Sequence, residues 1–119
     1  MSRPFRLTPP QISENDVEAG CKTILQLHQY WVIRLHAGVF QSLDGRRHIR
    51  GVPKGTPDYA CLHGRFRGFL LEVKRPGGEL SPEQELQISL LRRSLDLPIV
   101  VVESVDQLCN FLATHERGP

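Results

Sequence analysis

The sequence has little cysteine, few aromatic residues, no long apolar run and almost no net charge, and each shortage narrows what the chain can be. No stretch approaches the roughly 20 apolar residues needed to cross a bilayer, and the amino terminus has no apolar core of a signal peptide. The expectation is a cytoplasmic protein with no membrane contact. Cys21, Cys61 and Cys109 are odd in number, far apart and set among apolar neighbours, which argues against a disulfide framework or a zinc site and reads as free core thiols. A formal charge of +2 is too small to prove nucleic-acid binding by itself. With 119 residues and 39% hydrophobic content there is material for one core and no second domain. We therefore expect an irregular arm over residues 1–12, which holds Pro4, Pro9 and Pro10, a single domain over 13–115, and a short tail over 116–119.

What is present gathers around Gly55-Thr56-Pro57-Asp58 and the segment from Gly68 to Lys74. The second segment alternates as a strand does, with Phe69, Leu71 and Val73 on one face and Leu70, Glu72 and Lys74 on the other. Asp58 opens the strand before it, and the turn from His63 to Gly68 folds the two antiparallel, which brings the Asp58 carboxylate towards Glu72. Two carboxylates so placed repel each other unless a cation lies between them. Mg2+, a hard ion that takes one or two carboxylates together with substrate phosphate, suits such a pair, and Lys74 beside it suits an attacking water or the charge on a phosphate. The bland reading is an exposed strand with an ordinary Glu/Lys pair.

Pro57-Asp58 followed by Glu72-Val73-Lys74 resembles the PD-(D/E)XK nuclease superfamily, with 14 residues from one acid to the other. The order Gly55-Thr56-Pro57-Asp58, Glu72-Val73-Lys74-Arg75-Pro76-Gly77-Gly78 and Leu80-Ser81-Pro82-Glu83-Gln84 more closely resembles the VRR-NUC (virus-type replication-repair nuclease) family, in its stand-alone phage or bacterial form. The resemblance covers residues 14 to 112. It implies a DNA endonuclease dependent on Mg2+ or Mn2+, with metal held by Asp58, Glu72, the Val73 carbonyl and a glutamate of the first helix. That glutamate is Glu18 in first place and Glu14 in second. The resemblance also implies Lys74 and Gln84 at the catalytic site, a homodimer, a preference for branched DNA such as four-way (Holliday) junctions, and a helicase or replication partner.

The rest of the chain supplies the frame. Ser13 caps a helix whose face is drawn by Val17, Cys21, Ile24, His28 and Trp31. Trp31 to His36 reads as a strand with one buried face, and Gly38 to Thr56, with its glycines, reads as a flexible arm or hairpin over the substrate groove. Ser81 caps a second helix with Pro82 at its first position and Gln84 at the capping-box site, where Gln84 shares the face of Ile88, Leu91 and Leu95. Leu97-Pro98 ends that helix, Ile99 to Val102 is a buried strand, and Ser104 opens the last helix. The order α-β-β-β-α-β-α predicts an α/β fold, a three-layer α/β/α core on a mixed four-stranded sheet.

Arg46, Arg47, Arg50, Lys54 and Arg75 are candidate phosphate contacts, each weighed against a plain solvated loop. Phe40, Phe66 and Trp31 are apolar residues that one small core need not absorb, candidates for a patch between two copies. Two further function classes stand beside the nuclease: a nucleic-acid binder that has kept the fold without the chemistry, and a protein-interaction module with these charges as decoration. Intact Asp58, Glu72 and Lys74 count against the binder, since acids facing phosphate weaken binding.

Overall fold

The computed structural model describes residues 11–36, 39–41 and 43–117. The expected arm falls mostly outside these residues, as does the side chain of Arg50. Ser13 caps α1 (Glu14–Leu27) by accepting from the Asp16 amide at 3.1 Å, while the Asp16 carboxylate accepts from the Ser13 amide at 3.0 Å. The two orphan donors at this helix start are thereby satisfied reciprocally. Val17, Cys21 and Leu25 are the buried stripe of α1. His28 is the C-cap rather than part of the inward face, and Trp31 is exposed. The difference arises because the helix stops at Leu27: the Gln29 amide donates to the Gln26 carbonyl at 3.0 Å and the Tyr30 amide to the Leu25 carbonyl at 2.9 Å, with Gln29 at a φ of 67°. This is a Schellman ending, and it turns the chain before helical spacing reaches Trp31.

Four strands form the main sheet in the order β1 (Trp31–Arg34), β4 (Tyr59–Leu62), β5 (Phe69–Val73), β6 (Ile99–Val102). The first two junctions are antiparallel and the last is parallel, so the sheet is mixed as expected. The parallel pair is joined through α2 (Pro82–Ser94), the crossover that such a pair requires. Between β1 and β4 the chain forms a separate hairpin from β2 (Val39–Gln41) and β3 (His48–Arg50). Of the two expectations for this stretch, arm or hairpin, the backbone pairs, and a Val52 amide to His36 carbonyl bond of 2.8 Å closes its base.

Phe69, Leu71 and Val73 face the same core as Tyr59, Cys61 and Val102, and that core is covered by Val17, Cys21 and Leu25 of α1 and by Leu108 and Leu112 of α3 (Val105–His115). Cys21 and Cys61 are buried free thiols, and burial holds them well above the usual range, at about 11 and about 12. Cys109 is free and half-buried. On the opposite face α2 presents its buried residue Ile88, so helices lie on both sides of the sheet in three layers.

Candidate active site

Alternation along β5 sends Glu72 away from the main core, towards the amino-terminal end of α2. The side chain is nevertheless only 2% exposed, an unusual state for a glutamate. It is tolerated because both carboxylate oxygens have donors. Oε2 accepts from the Asp58 amide at 3.1 Å, and Oε1 accepts from Gln84 Nε2 at 2.9 Å. Lys74 Nζ stands 3.7 Å from the same Oε1, with its side chain only 16% exposed. The Asp58 carboxylate reciprocates across the strand pair, its Oδ2 accepting from the Val73 amide at 3.0 Å. The two acids are therefore interlocked through each other's strand, which fixes their positions more tightly than side-chain packing alone.

This arrangement disfavours negative charge. Burial, then the neighbouring Asp58, pushes Glu72 up to about 7, against a partial relief from Lys74. Burial is also the main reason Asp58 is raised, with the Val73 amide and the charges of Arg34 and Lys74 opposing it. Perturbed acids held together by scaffold hydrogen bonds are a mark of a functional site.

The local sequence explains the approach of the elements. Gly55 has a φ of +89°, and a Cβ there would lie 2.5 Å from the Glu83 carbonyl oxygen, so only glycine lets the segment before Asp58 reach the start of α2. Ser81 caps α2 by accepting from the Gln84 amide, while Gln84 Oε1 accepts from the Ser81 amide at 2.9 Å. Gln84 thus caps with its oxygen and reaches Glu72 with its nitrogen.

The first helix contributes two acids in different states. Glu18 Oε1 accepts from Arg34 Nη1 at 3.0 Å and from the Tyr59 hydroxyl, and its charge also bears on Asp58. Glu14, one turn earlier and exposed, bears on Glu72. Arg34 and Tyr59 escaped the sequence reading. Arg34 sits at an alternating position of its strand, but a lone arginine there carries no signal for its partner 16 residues away on a helix.

The family model of the VRR-NUC domain matches residues 12–106, a span that includes every residue of this cluster. The chain belongs to the VRR-NUC family. It is accordingly a member of a nuclease family, for which DNA is the implied substrate. Comparison with curated proteins found no match. Among the described residues of this VRR-NUC domain, no group of three or more histidine, cysteine or acidic side chains forms a ready-made metal cage. The Asp58 and Glu72 carboxylates, linked through each other's strand, are oxygen donors of the kind a hard divalent cation takes alongside waters and substrate oxygens.

The sequence-derived phosphate contacts are scattered in this VRR-NUC domain. Arg46 and Arg47 are exposed beyond β2 in the hairpin turn, where the Arg46 amide donates to Asp44 Oδ1 at 3.0 Å. Lys54 is paired with Glu83 at 3.3 Å, and Arg75 is exposed in the turn after Lys74. No helix is long and apolar enough to cross a membrane among the described residues.

Proposed function

We propose that this chain is a divalent-metal-dependent DNA endonuclease whose catalytic residues are Asp58, Glu72, Lys74 and Gln84. The observation that carries the reading is the interlock of the buried Glu72 carboxylate with the half-buried Asp58, with Lys74 Nζ 3.7 Å from Glu72. Asp58, Glu72 and the Val73 carbonyl would hold Mg2+ or Mn2+, and the ion would supply Lewis-acid stabilisation of the charge on the phosphate and the leaving oxygen. The protein's own part is positioning. Gln84 fixes the Glu72 carboxylate from the side of α2, and Lys74 provides a cation beside the attacking water. As water adds to phosphorus, the P–O bond to the leaving oxygen breaks, the water's proton passes to solvent or a nearby base, and the leaving oxygen is protonated.

Of the two helix acids, Arg34 and Tyr59 already compensate Glu18, which supports Glu14 as the acid that a bound cation draws in, with Glu18 orienting Arg34. Arg46, Arg47, Arg50, Lys54 and Arg75 are proposed to hold flanking phosphates. The substrate is proposed to be branched DNA such as a four-way junction, delivered by a helicase or replication partner. Two nicks in such a substrate call for two sites, which a homodimer of one-site chains supplies.

The test is cleavage of labelled linear, flap and four-way DNA with Mg2+, Mn2+ or EDTA. We expect strand scission with either metal and none in EDTA, and at least a 100-fold loss in each of Asp58→Ala, Glu72→Ala and Lys74→Ala, with circular dichroism unchanged. Near-wild-type cleavage by Asp58→Ala would overturn the assignment.

A further inference from the structure

The flank of α1 and the open edge of β1 form a groove of about 510 Å³, lined among others by Lys22, Gln26, Trp31, Arg34 and Tyr59. At its inner end Lys22 Nζ and Arg34 Cζ both lie over the Tyr59 ring, 5.2 and 5.7 Å from its centroid. The lining holds two cations and no carboxylate; Glu18 lies behind, bonded to Arg34 and to the Tyr59 hydroxyl. Tyr59 adjoins Asp58 in the chain and the charge of Arg34 bears on the Asp58 carboxylate, so this end of the groove lies towards Asp58. At the outer end Trp31 is 75% exposed, and it also walls a second hollow of about 340 Å³ with Gln29, Leu62, His63 and Gly64.

An indole left this open contributes little to the core, although the pairing of Trp31 with Leu62 fixes its backbone. A flat aromatic face leading to cations suits a nucleic-acid strand, because every base offers a face to stack on and every nucleotide a phosphate to bind. The volume is that of a small-ligand pocket, enough for a nucleotide or two and too little for a duplex, whose bases are in any case already stacked. We propose that this groove is a subsite for one unpaired DNA strand, in which a base stacks on Trp31 while Lys22 and Arg34 hold phosphates leading to Asp58 and Glu72. The proposal rests on the nuclease reading and adds that, among branched substrates, those with an unpaired strand next to the cut are held best.

Trp31 is the sole tryptophan, so its emission reports on the subsite directly. In EDTA, where no cleavage is expected, an oligo-dT strand should quench Trp31 emission strongly, and an abasic strand of equal length should not. By anisotropy, Trp31→Ala should weaken oligo-dT binding about 10-fold and leave blunt-duplex binding unchanged, with Trp31→Phe restoring most of the loss. Lys22→Gln should weaken oligo-dT binding and reduce its salt slope by about 0.7. Equal quenching by both strands, or unaltered oligo-dT affinity in Trp31→Ala, would overturn the subsite. So would a dimer that Trp31→Ala converts to monomer with emission indifferent to oligo-dT, since a second copy would then occupy the groove. Metal-dependent cleavage without the Trp31 signals removes this proposal alone, whereas the signals without cleavage support the subsite and remove the nuclease reading.

Discussion

A glutamate buried as deeply as Glu72 keeps its proton at pH values where an unfolded chain has released it. Its folded value of about 7 stands above an ordinary 4.5, with Asp58 raised in the same direction. Between those two values the native state binds more protons than the unfolded state, so without metal, stability falls as pH rises from 5 to 7.5 and levels off above. A shift of this size corresponds to a loss on the order of 2–3 kcal/mol. Urea midpoints in EDTA at the two pH values should show it, and Glu72→Gln should flatten the slope; a midpoint that rises towards pH 7.5 in the wild type would contradict the burial argument. Divalent metal should reverse the trend by binding the ionised pair, seen as a higher Tm at pH 7.5 that Glu72→Ala abolishes. Glu14→Gln should lessen this metal-induced gain more than Glu18→Gln does, because Arg34 already neutralises Glu18.

At the scale of the element, the start of α2 sets the site and the end of α1 sets the course of the chain into β1. Gln84 closes the capping box of α2 and donates to Glu72, so Gln84→Ala should cost about 1 kcal/mol of stability as a lost cap and lower the cleavage rate by a larger factor than stability explains. Wild-type turnover in that variant would leave Gln84 a cap only. At the carboxy-terminal end of α1, Gln29 adopts a left-handed conformation that glycine tolerates better. Gln29→Gly should therefore stabilise the protein by about 0.5–1 kcal/mol, a rise of a few degrees in Tm, whereas Gln29→Val should destabilise it. Thermal melts of the two variants check the sign.

For the whole molecule, the proposed homodimer needs a surface, and the structure redistributes the apolar residues that suggested one. Phe66 is half-buried and packs on the core, its ring 4.7 Å from that of His63, and the Phe40 side chain lies outside the described residues. Leu86 and Leu90, 63% and 45% exposed, lie four residues apart on the outer side of α2, opposite buried Ile88. A dimer through this face should give about twice the 13.5 kDa chain mass by light scattering at micromolar concentration, and Leu86→Lys with Leu90→Lys should return it to monomer. A monomeric wild type would end the two-site account of junction cleavage. Four-way DNA should be cut faster than linear duplex at matched salt and metal.

The sequence by itself determined the order of core elements, the caps at Ser13, Ser81 and Ser104, the alternation of β5 and the acid pair with its lysine, because each is written in neighbours a few residues apart. The same local spacing overran at the end of α1, where it carried the helical face through His28 to Trp31 and missed the Schellman turn that Gln29 makes without a glycine. Only the tertiary structure decided which groups meet across long separations: Asp58 and Glu72 bonded through each other's strand, Glu18 claimed by Arg34 and Tyr59, and Gly55 pressed against the Glu83 carbonyl. The physical reason is that periodicity reports which side of an element turns inward, whereas a hydrogen bond or a pKa depends on what the sheet and the opposing helix place within a few ångströms of that side.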